Sequence, residues 1–123
     1  MLKAKRILII DDEEGFLALL RQALEERGFE VATALNAVDA GIEIATNLPV
    51  LILMDIKMPG IDGLEACEVL KKNPNTKDVP IIIVSALSDD SDIQQAKKIG
   101  VEDYFVKPID IEKLIGRIRT IIP

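Results

Sequence analysis

The feature that most constrains the fold of this chain is a regular alternation of short apolar runs with longer segments of helical periodicity. The runs predict five strands, namely Arg6 to Ile10, Glu30 to Ala34, Val50 to Met54, Ile81 to Val84 and Tyr104 to Val106. Apolar residues recur three or four positions apart after each run, which predicts a helix there. Five strand–helix units with short connections favour a parallel sheet that helices cover on both sides.

Each predicted helix is marked by its own set of apolar residues. The five sets are Phe16, Leu20, Ala23 and Leu24; Val38, Ile42 and Ala45; Leu64, Cys67 and Leu70; Ile93, Ala96 and Ile99; and Ile111, Leu114, Ile115, Ile118 and Ile122. Gly28 and Gly100 suit the ends of the first and fourth helices, because glycine readily adopts the left-handed conformation that ends many helices. Gly60 to Gly63 is expected to form a loop.

The topology follows from these elements. Crossover connections between parallel strands are right-handed, which leaves few arrangements for five strands. We expect an α/β fold with a doubly wound, flavodoxin-like sheet in the strand order 2-1-3-4-5. At 123 residues the chain has the length of one domain, so residues 1–123 are predicted to form a single unit.

Composition excludes several classes of function. The net charge of −6 argues against a nucleic-acid surface, which requires clustered positive charge. Histidine is absent and Cys67 is the one cysteine, so neither a Ser-His-Asp triad nor a zinc site made of several cysteines can form within the chain. No apolar run approaches the roughly 20 residues of a membrane span, and Ile7 to Ile10 is too short for a signal peptide. We expect a cytoplasmic protein.

Polar residues cluster where the predicted strands end. Asp11 and Asp12 follow the first strand, Asp55 follows the third, Ser85 follows the fourth and Lys107 follows the fifth. In the expected order these four strands are consecutive neighbours, so the five side chains would meet at the carboxyl edge of the sheet. Open α/β sheets bind their ligands at this edge. Lys107 starts about 10 Å from Asp55, two strands away, and a long side chain could close that gap.

The charges at this edge limit what the site can hold. Three crowded carboxylates repel one another, so either one is protonated or a cation lies among them. Oxygen ligands favour Mg²⁺ as that cation. A metal and a lysine beside a carboxylate, with a hydroxyl nearby, are the groups that phosphoryl transfer requires.

Four segments together resemble the receiver domains of response regulators. They are Ile10-Asp11-Asp12, the stretch from Met54 to Gly63, Val84-Ser85-Ala86, and the stretch from Asp103 to Pro108. The resemblance spans the whole chain, in order. It implies that Asp55 is the phosphoacceptor and that Lys107 pairs with the phosphoryl group. It also implies Mg²⁺ ligation by Asp12, Asp55 and the backbone carbonyl of Lys57, with Asp11 assisting through water.

The resemblance further implies a switch. Ser85 would be the hydroxyl that moves toward the phosphoryl group, and Tyr104 the aromatic residue that changes rotamer on activation. Lys107-Pro108 would form a cis peptide. The phosphoryl donor would be a phosphohistidine on a sensor histidine kinase or a histidine phosphotransfer protein. A downstream target or output domain would bind the surface of the fourth helix, fifth strand and fifth helix.

Three other interpretations remain open from the residues. Asp11 and Asp12 could cap the first helix. The chain could be a Mg²⁺-dependent phosphatase or phosphotransferase with an aspartyl nucleophile, but such an enzyme would have a second acid two residues after the nucleophile, where this chain has Lys57. It could also be a degenerate receiver that serves for docking alone, although the acids, the hydroxyl and the lysine are all present. A receiver would catalyse its own phosphorylation and dephosphorylation without being an enzyme on other substrates.

Overall fold

The fold is a five-stranded parallel sheet with helices on both sides. The computed structural model describes residues 5–58 and 60–122. The sheet consists of β1 (Arg6–Ile10), β2 (Glu30–Ala34), β3 (Leu51–Met54), β4 (Ile81–Ser85) and β5 (Asp103–Val106). All neighbouring pairs are parallel and follow the order β2-β1-β3-β4-β5. The predicted flavodoxin-like order is therefore confirmed.

Five helices connect the strands. They are α1 (Glu14–Glu25), α2 (Ala37–Thr46), α3 (Gly63–Lys72), α4 (Asp90–Ile99) and α5 (Ile111–Ile121). Gly100 ends α4 in the left-handed conformation with φ of 105°, as predicted. Helix α1 already ends at Glu25, and Gly28 turns the chain toward β2 with φ of 90°. No helix in the described ranges has both the length and the apolar composition of a membrane span.

Alternate residues of the central strands point to opposite sides of the sheet, which gives the fold two cores. On the first face, α1 and α5 pack on one set of strand residues, including Ile7, Ile9, Leu51, Leu53 and Ile82. On the second face, α2, α3 and α4 pack on the other set, including Leu8, Ile10, Ile52, Met54 and Ile83. Because β1, β3 and β4 are covered on both sides, they are continuous apolar runs.

The segment predicted to be a loop between residues 60 and 63 has more structure than expected. Lys57–Met58 pairs antiparallel with Ile61–Asp62, and α3 begins directly at Gly63. Gly63 N–H donates to the Ile56 carbonyl at 2.9 Å, and a Cβ at this position would overlap the Ile56 backbone. Glycine is therefore required where the helix crosses the preceding chain. Pro59, which belongs to one of the family-like segments, lies outside the described residues, as do residues 1–4 and 123 of the predicted domain.

Helix α2 differs from the amphipathic pattern that predicts it. Val38 and Ile42 are 72% and 59% exposed, and Ala45 is also exposed. The buried residue of the helix is Ala40. Since each residue turns a helix by about 100°, Ala40 lies on nearly the opposite side from Val38 and Ile42. The helix was predicted correctly, but the residues that mark it face outward.

Candidate functional site

The carboxyl edge of the sheet forms an open cleft. Its lining includes Asp12, Glu13, Asp55, Lys57 and Ser85. Two of these side chains stand at the end of a strand: Asp55 is the first residue after β3, and Ser85 is the last residue of β4. Strand order and strand length thus place the polar residues side by side, while the apolar residues before them remain in the core.

Three carboxylates form the acidic part of this cleft. Oxygens of Asp11, Asp12 and Asp55 lie within 4.8 Å of one another. Asp11 and Asp55 are 1% and 6% exposed, whereas Asp12 is exposed. This separation is compatible with three ligands of one small cation, and carboxylate oxygen is the ligand type that Mg²⁺ prefers. The donor set therefore fits Mg²⁺.

Lys107 reaches the acidic cluster from β5, across β4. Its Nζ donates to Asp11 Oδ2 at 2.8 Å, to Glu13 Oε1 at 3.1 Å and to Asp55 Oδ2 at 3.3 Å. The ammonium also lies 4.2 Å from the centre of the Phe16 ring, a cation–π contact. The Lys107 N–H donates to the Ser85 carbonyl at 2.8 Å, which anchors the backbone from which the side chain extends.

Burial and neighbouring charge act in opposite directions on the pKa of Asp11, and also on the pKa of Lys107. Burial raises the pKa of Asp11, although the Lys107 ammonium and the Glu13 N–H lower it in part. Burial alone would lower the pKa of Lys107, but its hydrogen bonds to Asp11 and Glu13 outweigh that effect and the pKa is raised. Lys107 therefore keeps its positive charge at neutral pH. One ammonium among four carboxylates leaves the site negative, which favours binding of a cation.

Ser85 and Tyr104 are joined through the segment after β4. The Ser85 side chain is buried, and its Oγ accepts a hydrogen bond from the Leu87 N–H at 3.2 Å. The Tyr104 hydroxyl donates to the Leu87 carbonyl at 2.7 Å. Burial is the main reason why the pKa of Tyr104 is raised, and the carboxylates of Asp92 and Asp55 add to it. The two predicted switch residues thus bind the backbone of one residue, Leu87: Ser85 binds its N–H and Tyr104 binds its carbonyl.

Lys57 lies at the rim of the cleft, two residues after Asp55. Its backbone N–H donates to Asp55 Oδ1 at 3.1 Å, which fixes the orientation of that carboxylate, and its side chain is exposed. The Lys107-Pro108 peptide bond is cis, as the resemblance implies.

The capping interpretation of Asp11 and Asp12 is not supported. The N-cap of α1 is Glu13, and its side chain makes no capping hydrogen bond. Asp11 Oδ1 instead accepts from the Glu13 N–H at 2.9 Å, outside the helix, while its other oxygen binds Lys107. Asp11 therefore serves the cleft.

Two residues at the site were missed by sequence reasoning, which assigned no contact with Lys107 to either Glu13 or Phe16. They lie three positions apart at the start of α1, so the helix presents both to the lysine. Their sequence positions carry no indication of this contact, because Lys107 is more than 90 residues away. A run of acids beside a predicted site is the one pattern that could have pointed to Glu13.

Comparisons with known proteins agree on one family. Residues 7–119 match the model of the response regulator receiver domain. The chain is 36% identical over 117 residues to the phosphate regulon transcriptional regulatory protein PhoB of Rhizobium meliloti. It is 38% identical over 116 residues to the response regulator PleD of Caulobacter vibrioides. These matches cover 95% and 94% of this chain, but 52% of PhoB and 26% of PleD.

Solved structures agree with the sequence relatives. The signal receiver domain of a response regulator from Bermanella marisrubri superposes with a TM-score of 0.89 at 35% identity. That match covers 98% of this chain and 100% of the other. The chain spans about half or less of the curated relatives named above, so the likeness concerns only part of each relative. This chain belongs to the response regulator receiver domains of two-component signalling.

Proposed function

We propose that Asp55 accepts a phosphoryl group from a phosphohistidine on a partner protein, and that this transfer switches the outer surface of the domain. The observation that supports the proposal most is the convergence of Asp11, Asp12 and Asp55 with the Lys107 ammonium at one edge of the sheet. Nucleophile, cation ligands and a fixed positive charge then lie within contact distance, which is what phosphoryl transfer requires.

The transfer would exchange one bond to phosphorus for another. An Asp55 carboxylate oxygen forms the new bond to phosphorus as the phosphorus–nitrogen bond of the phosphohistidine breaks. The bonding electron pair stays with the imidazole nitrogen. Because the other ring nitrogen of the phosphohistidine carries a proton, the leaving group is neutral imidazole. The Lys57 N–H, bound to Asp55 Oδ1 at 3.1 Å, orients the carboxylate and leaves Oδ2 toward Lys107. Reversal of the signal would be hydrolysis of the same acyl phosphate by water.

Lys107 and Ser85 would stabilise the transferred group. The ammonium lies 3.3 Å from Asp55 Oδ2 and neutralises negative charge that develops on the phosphoryl oxygens. The Ser85 hydroxyl lines the same cleft and can donate to one of them. Mg²⁺ held by Asp12, Asp55 and the Lys57 carbonyl, with Asp11 assisting through water, would supply further positive charge.

The switch would act through the segment after β4. If the Ser85 hydroxyl turns toward the phosphoryl group, it loses the hydrogen bond that it now accepts from the Leu87 N–H. Leu87 also holds the Tyr104 hydroxyl, so this change would alter the position of the tyrosine ring. Because Tyr104 lies on β5, the surface formed by α4, β5 and α5 would change and bind a downstream target or output domain differently.

Partners and setting follow from the same chemistry. The chain contains no histidine, so it can receive a phosphoryl group but cannot be its phosphohistidine donor. A sensor histidine kinase or a histidine phosphotransfer protein would therefore act upstream, in the cytoplasm. We assign residues 1–123 to one receiver unit that catalyses its own phosphorylation and dephosphorylation, with no nucleic acid or membrane bound directly.

Labelling with a small phosphodonor tests the proposal. With radiolabelled acetyl phosphate and Mg²⁺, we expect an acid-stable, base-labile label on the wild-type protein and none on Asp55→Asn. Asp78→Asn is the matched control, because it removes the same charge from an exposed carboxylate between α3 and β4. Chelation of divalent cations should abolish labelling. Equal labelling of Asp55→Asn and Asp78→Asn would refute the assignment.

A further inference from the structure

We propose that Glu13 competes with the phosphoryl group for the Lys107 ammonium and thereby restrains phosphorylation of Asp55. Glu13 would act through Lys107, as a positioning residue. The inference rests on the proposed function, since it concerns the rate and the stability of the phosphorylated state.

All three N–H donors of Lys107 have a carboxylate partner in this structure. The partner oxygens lie at 2.8 Å on Asp11, 3.1 Å on Glu13 and 3.3 Å on Asp55. An ammonium has three hydrogens and no more, and the Lys107 side chain is only 12% exposed. Phosphorylation replaces the Asp55 Oδ2 contact by one phosphoryl oxygen, so the phosphoryl group can engage a second N–H donor of Lys107 only if Asp11 or Glu13 is released.

Of these two partners, Glu13 can be released more easily than Asp11. Its side chain is 64% exposed, compared with 2% for Asp11 and 7% for Asp55. Once released, its carboxylate enters water and is solvated at once. Asp11 lacks this freedom, because it is buried and its other oxygen is held by the Glu13 N–H at 2.9 Å. Before phosphorylation, Glu13 thus draws the Lys107 ammonium away from the Asp55 carboxylate, which is the group that will be phosphorylated.

Removing the Glu13 carboxylate should strengthen the pairing of Lys107 with the phosphoryl group. Exposed ion pairs are weak, so we expect Glu13→Gln to raise the rate constant of labelling by acetyl phosphate by about two- to fivefold. The affinity for beryllofluoride, a tetrahedral analogue of a carboxylate-bound phosphoryl group, should rise by a similar factor.

The neighbouring residue provides a matched control. Glu14→Gln removes the same charge one position away, and the Glu14 side chain forms no hydrogen bond or ion pair with any described residue. Any general effect of lower negative charge on an anionic phosphodonor will appear in both variants. Glu13→Asp keeps the carboxylate and should return both quantities toward the wild-type values. Thermal unfolding of all three variants checks that the fold is unchanged.

The outcomes separate this inference from the proposed function. If the wild type takes no label on Asp55, the proposed function fails and the inference with it. If the wild type is labelled but Glu13→Gln equals Glu14→Gln in rate and beryllofluoride affinity, the inference alone is overturned. A slower rate or weaker affinity for Glu13→Gln than for Glu14→Gln would also overturn it, because Glu13 would then assist Lys107.

Discussion

The two faces of the sheet are packed by different kinds of residue. On the first face α1 and α5 bury large aliphatic side chains, namely Leu17, Leu20, Leu24, Leu114, Ile115 and Ile118. On the second face the residues that α2, α3 and α4 bury are small, namely Ala40, Gly63, Cys67 and Ala96. An apolar groove remains between α2 and α3, lined in part by Ile44, Val69 and Leu70.

This difference suggests that the first face contributes more to stability, whereas the proposed switch lies on the second face. Larger apolar side chains remove more surface from water, so the helices of the first face should provide more hydrophobic stabilisation than the helices of the second face. The second face holds Tyr104, partly buried against its core, and the Leu87 segment that links the tyrosine to Ser85. A region with fewer large buried contacts rearranges at lower cost, which suits the proposed movement of these residues.

The largest expected effect is a cavity on the first face. Leu20 is fully buried, and we expect Leu20→Ala to lower the free energy of unfolding by about 2–5 kcal/mol. Leu70→Ala removes the same atoms on the second face, at a half-buried position that already borders a groove. Its loss should be less than half as large in urea denaturation. Equal losses would show that the two faces contribute alike.

The next effect comes from a tight backbone approach on the second face, at Gly63. A Cβ on Gly63 would lie within 2.7 Å of the Ile56 carbonyl oxygen and closer still to the Ile56 Cα. We expect Gly63→Ala to lower the free energy of unfolding by about 1–3 kcal/mol, because backbone atoms must move. Gly41 in α2 has nothing within 4 Å, so Gly41→Ala should stabilise the protein by about 0.5–1 kcal/mol. Circular dichroism during thermal unfolding measures both. A neutral Gly63→Ala would mean that α3 can shift freely.

A third effect concerns pH and Cys67, which is buried on the second face. Burial raises the pKa of the Cys67 thiol from 9.0 to about 12. The thiol is mostly neutral in both folded and unfolded protein below about pH 8. Between about pH 9 and pH 12 the unfolded chain loses its thiol proton and the folded one does not, so stability falls as pH rises.

Comparison with Cys67→Ala isolates this contribution. We expect the difference in the free energy of unfolding between the wild type and Cys67→Ala to be constant below about pH 8. At pH 10 the wild type should have lost about 1.4 kcal/mol relative to Cys67→Ala. The thiol should also react slowly with iodoacetamide at pH 8 until urea is added. Rapid alkylation of the native protein would show that the second face opens readily around Cys67.

The smallest effect is expected on the outer side of α2. Ile42 is 59% exposed, so Ile42→Gln should change the free energy of unfolding by no more than about 0.5 kcal/mol. Ile115→Gln, at a fully buried position of α5, is the contrasting variant and should be strongly destabilising. Urea denaturation compares the two. A large loss from Ile42→Gln would mean that this apolar side of α2 is covered in solution.

Much of the fold could be predicted because strands buried on both faces differ clearly from helices in sequence. A continuous run such as Leu51 to Met54 has no polar residue. In the helices, by contrast, apolar residues recur at every third or fourth position. At α2 the pattern predicted a helix but not its buried side, because Val38 and Ile42 are apolar and yet exposed. It was wrong for the residues before α3, where a short hairpin forms because Gly63 lets the helix start against Ile56.

The candidate site could be predicted for its residues at the strand ends, but not for Glu13 and Phe16 and not for its contacts. Asp11, Asp55 and Ser85 stand at strand ends, so strand order alone places them at one edge. The three-way sharing of Lys107 depends on side-chain reach and on the position of α1 over the sheet. Neither quantity is encoded in local spacing.

The sequence by itself determined the strand order and the group of polar residues at the carboxyl edge, because hydrophobic periodicity and chain connectivity are local properties. Only the tertiary structure decided that Glu13 shares the lysine with Asp11 and Asp55 and that Leu87 joins Ser85 to Tyr104. Those contacts join residues up to 96 positions apart, and they form only after α1 and β5 have packed against the same sheet.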